Sequence, residues 1–146
     1  MGAGDLGGRA IPLGSISRSE IEAFHSAGRT LFSLGLVRGA EGNLSMLLEG
    51  RLLITRTRAR LEQIGRPDLV EGSLSGDLPG ASSDLDVHRC TYRERGPGAI
   101  AHSHPAGTVP EGGGLPGEHG LYVFGPTLDE AVARTVERVR GMSEAG

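Results

Sequence analysis

The spacing of apolar positions near the start of the chain predicts a helix. Apolar or small residues recur at intervals of three or four along this segment, at Ile21, Phe24, Gly28, Leu31 and Phe32. Such intervals place all of them on one helix face. Ser17 and Glu20, just before this stripe, have the spacing of a capping box, with Ile16 as the adjoining hydrophobic staple. We therefore predict a helix that begins after Ser17 and ends near Gly35.

Two short apolar runs with strand character follow this helix. They cover residues 43–48 and 51–55, and only Glu49 and Gly50 separate them. A two-residue connection that contains glycine is typical of a β-hairpin. Residues 65–81 are rich in glycine, proline and serine, and this composition predicts mainly loop.

The rest of the chain contains signals for two more helices and two more strands. We predict a second helix that is capped by one of the serines at 82 and 83 and ends near residue 95. Apolar runs that begin at Gly98 and at Leu121 are the predicted strands. A capping box at residues 127–130 then opens a last helix, which Gly141 is expected to end. Helices and strands in this order predict an α/β domain built in layers.

These elements are predicted to form one domain, residues 16–146. A chain of 146 residues is large enough for a single core that buries about 70% of the unfolded surface. Residues 1–15 are predicted to be a flexible arm. They contain a Gly-x-Gly-x-x-Gly spacing, but a dinucleotide-binding fingerprint requires a strand before it and a helix after it, and neither is predicted here.

Composition excludes several kinds of chemistry. All fifteen basic residues are arginine, so the chain has no lysine to form a Schiff base with a carbonyl substrate. The net charge of −3 and the pI near 5.9 argue against nucleic acid as a partner. The single cysteine, Cys90, and the lack of a long apolar stretch predict a cytoplasmic protein with no internal disulfide and no membrane partner.

Three of the five histidines form a candidate metal site. His102 and His104 are two positions apart in a predicted strand, and side chains at that spacing point to the same face. Their imidazoles can therefore bind one divalent ion, and His119, before the next predicted strand, is a candidate third ligand. The alternative is a pair of histidines on a solvated strand face. Because the chain has no lysine, any carbanion chemistry would need such a metal.

Five short motifs occur in an order that resembles the class II aldolase/adducin family. They are Gly-Leu-Val-Arg-Gly-Ala-Glu-Gly-Asn-Leu-Ser at 35–45, Leu53-Ile54-Thr55, Ser82-Ser83-Asp84 with His88, His102-Ser103-His104, and His119-Gly120. The resemblance runs from about residue 18 to 140. It implies an α/β fold with a central, mainly antiparallel sheet flanked by helices, and a homo-oligomer, usually a tetramer. The best-known enzymes of the family are aldolases of L-fuculose phosphate and L-rhamnulose phosphate and an epimerase of L-ribulose phosphate.

The resemblance also implies a role for each matched residue. His102, His104 and His119 would bind zinc. Asp84 would be the general acid/base, at a position where catalytic members of the family often have a glutamate, which is longer by one methylene. The residues that would bind the substrate phosphate are Gly42, Asn43, Thr57, Ser82 and Ser83. Backbone N–H groups at a glycine turn and hydroxyls at a helix N-terminus suit this ligand.

Each of these residues has a purely structural role as its alternative. Gly42 and Asn43 would shape a turn, and the two serines would cap a helix. Asp84 would be an acidic residue that interacts favourably with a helix N-terminus. His88 is expected to pack or to hydrogen bond in the interior rather than to bind metal, and His25 is expected to have no role in the site.

The chain departs from the family pattern in two places. Where the phosphate loop of the family commonly has threonine or serine followed by glycine, this chain has Thr55-Arg56-Thr57-Arg58. The Arg58 side chain would either block the phosphate pocket or bind an anion itself. The alternative is a solvated, basic edge strand with no role in binding. The second departure is residues 105–118, which are rich in glycine and proline and much shorter than the interval in the family. That interval normally carries further strands and helices, including part of the subunit interface.

We therefore predict a zinc-dependent lyase of the sugar-phosphate aldolase type. It would cleave a phosphorylated ketose reversibly to a ketone phosphate and an aldehyde through a metal-stabilised enediolate. An epimerase or dehydratase would use the same metal site, and the short segment 105–118 favours a different alternative, a non-catalytic, adducin-like interaction module. JAMM-type isopeptidases also have a His-x-His motif, but Gly112 and Leu115 stand where that motif continues with serine and aspartate.

Overall fold

A five-stranded antiparallel sheet organises the computed structural model, which describes residues 15–105 and 120–145, with the side chains of 142–145 left out. The helices are α1 (Arg18–Ser33), α2 (Leu85–Arg95) and α3 (Leu128–Ala145). The strands are β1 (Asn43–Leu48), β2 (Arg51–Thr55), β3 (Leu69–Gly72), β4 (Gly98–Ser103) and β5 (Leu121–Gly125). Two short 3₁₀ helices, Leu61–Gln63 and Arg66–Asp68, lie between β2 and β3. The predicted N-terminal arm lies outside the described residues, apart from Ser15.

The strands lie in the order β3-β2-β1-β4-β5, and every neighbouring pair is antiparallel. This arrangement confirms the predicted α/β fold with a central antiparallel sheet flanked by helices. Strands β1, β4 and β5 are neighbours in this order. Asn43 of β1 lies opposite His102 of β4, and His102 lies opposite Tyr122 of β5. These three residues therefore form one row across the sheet.

The helices lie on both faces of the sheet because apolar side chains alternate along the strands. One face carries Leu44 and Ala101, which belong to a core cluster with Phe24 of α1 and Ala131 of α3. On the opposite face, a second cluster joins residues of β1, β2 and β4 to α2 through Leu47, Leu52, Ile100 and Tyr92. The α2 face also carries Asn43 and His102, because these residues are an even number of positions from Leu47 and Ile100 in their strands.

Several local predictions are confirmed. The hydroxyl of Ser17 accepts a hydrogen bond from the backbone N–H of Glu20, whose carboxylate accepts one from the N–H of Ser17, so α1 begins with the predicted capping box. The hairpin of β1 and β2 turns at Glu49 and Gly50, with φ values of 54° and 78°. Two successive left-handed residues are characteristic of the type I′ turn, whose twist suits a hairpin.

Three boundaries differ from the prediction. The predicted loop 65–81 contains β3, a four-residue strand that is too short to show an alternating pattern. The N-cap of α2 is Asp84 rather than a serine, and the Ser82 hydroxyl instead accepts a hydrogen bond from the backbone N–H of Asp84. Helix α3 continues through Gly141 to Ala145. A glycine ends a helix when it takes a left-handed conformation, and Gly141 does not.

Within residues 15–105 and 120–145, no helix has both the length and the apolar character needed to cross a bilayer.

Candidate active site

The site lies where the row Asn43–His102–Tyr122 meets the N-terminus of α2. The rings of His102 and Tyr122 stack, with centroids 3.8 Å apart and planes 7° from parallel. His102 is almost fully buried there. Two glycines allow the backbone to approach it closely: a Cβ at Gly42 would lie 2.7 Å from the His102 carbonyl oxygen, and a Cβ at Gly120 would lie 2.8 Å from its Nε2. Both glycines have φ near +80° to +90°, so a side chain would be excluded on two grounds.

Asp84 brings a carboxylate to the same place. Its Oδ2 accepts a hydrogen bond of 2.8 Å from Nδ2 of Asn43 and lies 3.0 Å from Nδ1 of His102. The Tyr122 side chain also hydrogen bonds to this carboxylate. Burial raises the pKa of Asp84, but the bond from Asn43 and the proximity of His102 more than offset it, so the pKa lies below its ordinary value. Its side chain is 28% exposed, so a bound ligand can reach it.

His88 lies one helical turn after Asp84 and is completely buried. Its Nε2 is 2.5 Å from Oδ1 of Asn43, and its Nδ1 is 2.6 Å from Oγ of Ser45. Ser45 Oγ in turn lies 2.7 Å from the hydroxyl of Tyr92. Burial lowers the pKa of His88 to about 3, so the ring is neutral at physiological pH. The expected interior, hydrogen-bonded role of His88 agrees with these contacts.

The three predicted metal ligands are only partly described. His102 is in β4, and His104 follows the end of that strand, with the two ring centroids 4.7 Å apart. The backbone N–H of His104 donates to the carbonyl of Leu36, which holds the segment after β4 in place. His119 lies outside the described residues. Among residues 15–105 and 120–145, no three His, Cys, Asp or Glu side chains are grouped so as to hold a metal ion.

The donors that are described have the chemistry of a zinc site. Neighbouring imidazoles, as in His102 and His104, are common zinc ligands. A carboxylate beside one nitrogen of a ligating histidine is the usual means of orienting that ring, and Asp84 has this position at His102. These residues therefore fit a site in which His119 would supply the third protein ligand.

The residues expected to bind phosphate lie on adjoining segments. The backbone N–H of Ser82 donates to the carbonyl of Thr55, and the N–H of Thr57 donates to the carbonyl of Gly80, so residues 55–57 run beside 80–82. Asn43 and Ser82 both contact Asp84, through its carboxylate and its backbone N–H respectively. Thr57 and Ser83 are exposed. The structure thus brings Asn43 and Ser82 to Asp84 and leaves Thr57 and Ser83 at the surface nearby.

The two arginines at 56 and 58 have different surroundings. Arg56 forms an ion pair of 2.9 Å with Asp68. Arg58 is exposed and has a φ of 67°, in the left-handed region that favours glycine. The position therefore requires the conformation that a glycine adopts without strain, although it holds an arginine.

Replacing Arg58 by glycine is expected to raise the free energy of unfolding by about 0.5–1 kcal/mol, because relief of the left-handed strain outweighs the extra freedom of glycine in the unfolded chain. Urea denaturation of the variant measures this change. Arg60 provides the control, since its φ of −92° is ordinary and Arg60→Gly should destabilise the fold. Equal destabilisation by both substitutions would contradict the strain at Arg58.

Three residues of the site were missed from the sequence. Ser45 and Tyr92 extend the contacts of His88 into the core, and Tyr122 contacts both His102 and Asp84. A signal was present for Ser45, which, like Asn43, is a polar residue on the α2 face of the otherwise apolar strand β1. Tyr122 lies two residues from Phe124, and both pack on the α2 face. In the sequence Tyr122 is part of an apolar run, so its contacts with polar side chains could not be predicted.

Several solved structures are similar to this chain. L-fuculose-1-phosphate aldolase from Thermus thermophilus is 38% identical, with a TM-score of 0.56 over 59% of this chain and 46% of that one. YgbL from Escherichia coli, whose reaction is named only as aldolase, epimerase or decarboxylase, is 29% identical, with a TM-score of 0.54 over 60% of this chain and 45% of that one. The chain therefore spans less than half the length of both proteins.

A third structure supports the fold over a longer part of the chain. YgbL from Klebsiella pneumoniae aligns with 93% of this chain and 90% of its own length, at a TM-score of 0.69 and 20% identity. The family model described as the class II aldolase and adducin N-terminal domain matches residues 22–110, which is more than half of the sequence. That segment includes Asn43, Asp84, His102 and His104. The chain therefore belongs to the class II aldolase and adducin N-terminal domain family.

Proposed function

We propose that this protein is a zinc-dependent aldolase that cleaves a phosphorylated ketose to a ketone phosphate and an aldehyde. The observation that carries the proposal is the partly exposed carboxylate of Asp84, 3.0 Å from the imidazole of His102 and beside the phosphate-binding candidates Asn43 and Ser82. Such an arrangement places a group able to transfer a proton beside a candidate metal ligand. Membership of the class II aldolase family supports a lyase with a divalent metal.

Each residue of the candidate site would have one of three roles: metal binding, phosphate binding or proton transfer. His102, His104 and His119 would hold the ion, and Gly42, Asn43, Thr57, Ser82 and Ser83 would bind the phosphate. The chemistry that a bound divalent ion supplies is polarisation of the substrate carbonyl and stabilisation of the negative charge that develops as the carbon–carbon bond breaks. Asp84 would accept the proton released in cleavage at a carboxylate oxygen and return it in the reverse direction.

Two other functions would be distinguished from an aldolase by their products. An epimerase or a dehydratase would use the same carboxylate and metal but would yield an isomer or a dehydrated product. A non-catalytic, adducin-like module would turn over no substrate, and the shortness of segment 105–118 favours this second candidate. We also propose a homo-oligomer. The resemblance to the class II aldolase family, whose members usually assemble as tetramers, supports this proposal.

The purified protein is expected to carry about one zinc or similar divalent ion per chain, because an open catalytic site usually has three protein ligands. Changing both His102 and His104 to alanine should abolish this occupancy, measured by elemental analysis after dialysis. His25→Ala is the matched control, since His25 belongs to α1 and lies 3.0 Å from the carbonyl of Ile64, away from the site. Full occupancy in the double variant would refute the metal site.

Any aldolase activity is expected to disappear with a strong chelator and to return with added zinc. The same activity should be indifferent to borohydride in the presence of substrate, because the chain has no lysine to form a reducible imine. A coupled assay that follows release of the aldehyde from a series of ketose phosphates measures both effects. Turnover that persists after all metal has been removed would contradict this mechanism.

A further inference from the structure

A buried series of side-chain hydrogen bonds leads from the interior to the candidate active site. It runs from Tyr92 to Ser45 (2.7 Å), to His88 (2.6 Å), to Asn43 (2.5 Å) and to Asp84 (2.8 Å). All but Asp84 are buried, and the first three lie behind the site, among the apolar residues of the α2 face. The proton-transfer chemistry proposed above uses only the last member of this series.

The chemistry of the terminal carboxylate determines the direction of every bond in the series. An ionised carboxylate only accepts hydrogen bonds, so Asn43 must face Asp84 with its amide N–H₂ and face His88 with its carbonyl oxygen. That oxygen needs a donor, so the proton of the His88 ring must be on Nε2. A neutral imidazole has one N–H, so Nδ1 accepts from the hydroxyl of Ser45.

The same reasoning extends to the other end of the series. The Ser45 hydroxyl donates to His88, so its oxygen accepts from the hydroxyl of Tyr92. Every proton in the series therefore points toward Asp84.

We propose that Tyr92, Ser45 and His88 are positioning residues for Asp84. They fix the amide of Asn43 so that it always presents its N–H₂ group to the carboxylate, and the carboxylate is thereby held beside His102. One hydrogen of the Asn43 amide is used in this way, and the second hydrogen of the same nitrogen is the one that a phosphate oxygen would accept. The inference rests on the proposed function only for the task that Asp84 performs, because the bond directions do not depend on it.

Stability alone does not account for the series. Replacing both partners of a buried hydrogen bond with apolar groups of the same shape is often neutral or stabilising. The α2 face already has Leu47, Leu52 and Ile100 as apolar neighbours, so an apolar interior was available at these positions. The polar series nevertheless ends on the carboxylate next to His102, where its direction affects the orientation of a reactive group.

Nitrogen-15 NMR of the metal-free wild-type protein, labelled at histidine, tests the directions without any substitution. His88 is expected to be the neutral Nε2–H tautomer, with an Hε2 proton that exchanges slowly because the ring is buried. An Nδ1–H tautomer or a charged ring at neutral pH would overturn the proposal, whatever reaction the protein catalyses.

A matched pair of variants tests the positioning role. In His88→Gln the side-chain amide keeps a donor for Asn43, whereas in His88→Asn the shorter amide keeps an acceptor for Ser45 and loses the bond to Asn43. We expect His88→Asn to raise the zinc dissociation constant by roughly tenfold or more and His88→Gln to stay within about threefold of wild type, since partners of metal ligands contribute about 10–100-fold to affinity. His25→Asn is the control.

Equal losses in the two His88 variants would overturn the positioning role, because both then report only a disturbed core. A wild-type protein that binds no zinc would refute the proposed function instead, while the tautomer spectrum would still decide the direction of the series. The side-chain N–H₂ signal of Asn43 gives a metal-independent readout: its exchange should stay slow in His88→Gln and become fast in His88→Asn. The opposite order would overturn the proposal.

Discussion

Replacing Asp84 by asparagine is expected to lower kcat on the ketose phosphate substrate by roughly 10²- to 10⁴-fold. The amide has nearly the shape of the carboxylate, but it cannot accept and return a proton at neutral pH. The fold should survive, because Asp84 is partly exposed and its side chain makes no capping hydrogen bond to α2. Steady-state kinetics together with zinc content and a urea titration of each variant measure the three effects separately.

Two companion variants complete the test at Asp84. Asp86→Asn removes an exposed carboxylate from the first turn of the same helix, so it controls for the change in charge and should leave kcat unchanged. Asp84→Glu restores the side-chain length common in the family and should raise kcat if the reach of the carboxylate limits the reaction. Unchanged turnover in Asp84→Asn would assign Asp84 to the orientation of His102 alone.

Local patterns predicted those parts of the fold that depend on local interactions. The capping box of Ser17 and Glu20 and the turn at Glu49 and Gly50 each involve residues within four positions, and both were predicted from the sequence. The strand β3 was missed because it is only four residues long and is stabilised by pairing with β2. That pairing is a tertiary contact, and no pattern within the strand itself shows it.

The sequence predicted the reactive side chains of the candidate site but not the residues that support them. His102 was predicted from the His-x-His spacing and Asp84 from the resemblance to the family, and the structure places them 3.0 Å apart. Their supporting contacts come from residues that are more than forty positions away, such as Asn43 with Asp84 and Ser45 with His88. Such contacts depend on the register of β1 against β4 and on the packing of α2, neither of which a single motif specifies.

At Arg58 the structure adds a backbone property that the sequence did not reveal. From the sequence, an arginine at a position that is commonly glycine indicated a change in the phosphate pocket. The structure shows that the backbone there is left-handed, with a φ of 67°. A glycine would adopt this conformation without strain, and the arginine adds a cation at the cost of strain.

Replacing Gly28 by alanine is expected to destabilise the fold by roughly 3 kcal/mol, because overpacking against backbone cannot be relieved by a change of rotamer. A Cβ at this position of α1 would lie 1.9 Å from the carbonyl oxygen of Leu61 and 2.8 Å from its carbonyl carbon. The helix and the 3₁₀ turn at Leu61–Gln63 would have to move apart, and the core residue Leu61 would move with that turn. The midpoint of urea denaturation should fall while the slope of the transition stays unchanged.

Gly141 is the matched control for this change. It is also a helical glycine, in α3, but a Cβ there would meet nothing within 4 Å. Gly141→Ala should therefore raise the free energy of unfolding by about 0.5–1 kcal/mol, through higher helix propensity and lower freedom of the unfolded chain. The two identical substitutions are thus expected to have opposite signs. Destabilisation by both would mean that helix α3 ends at Gly141, as the sequence pattern predicted, and stabilisation by both would contradict the close contact of α1 with Leu61.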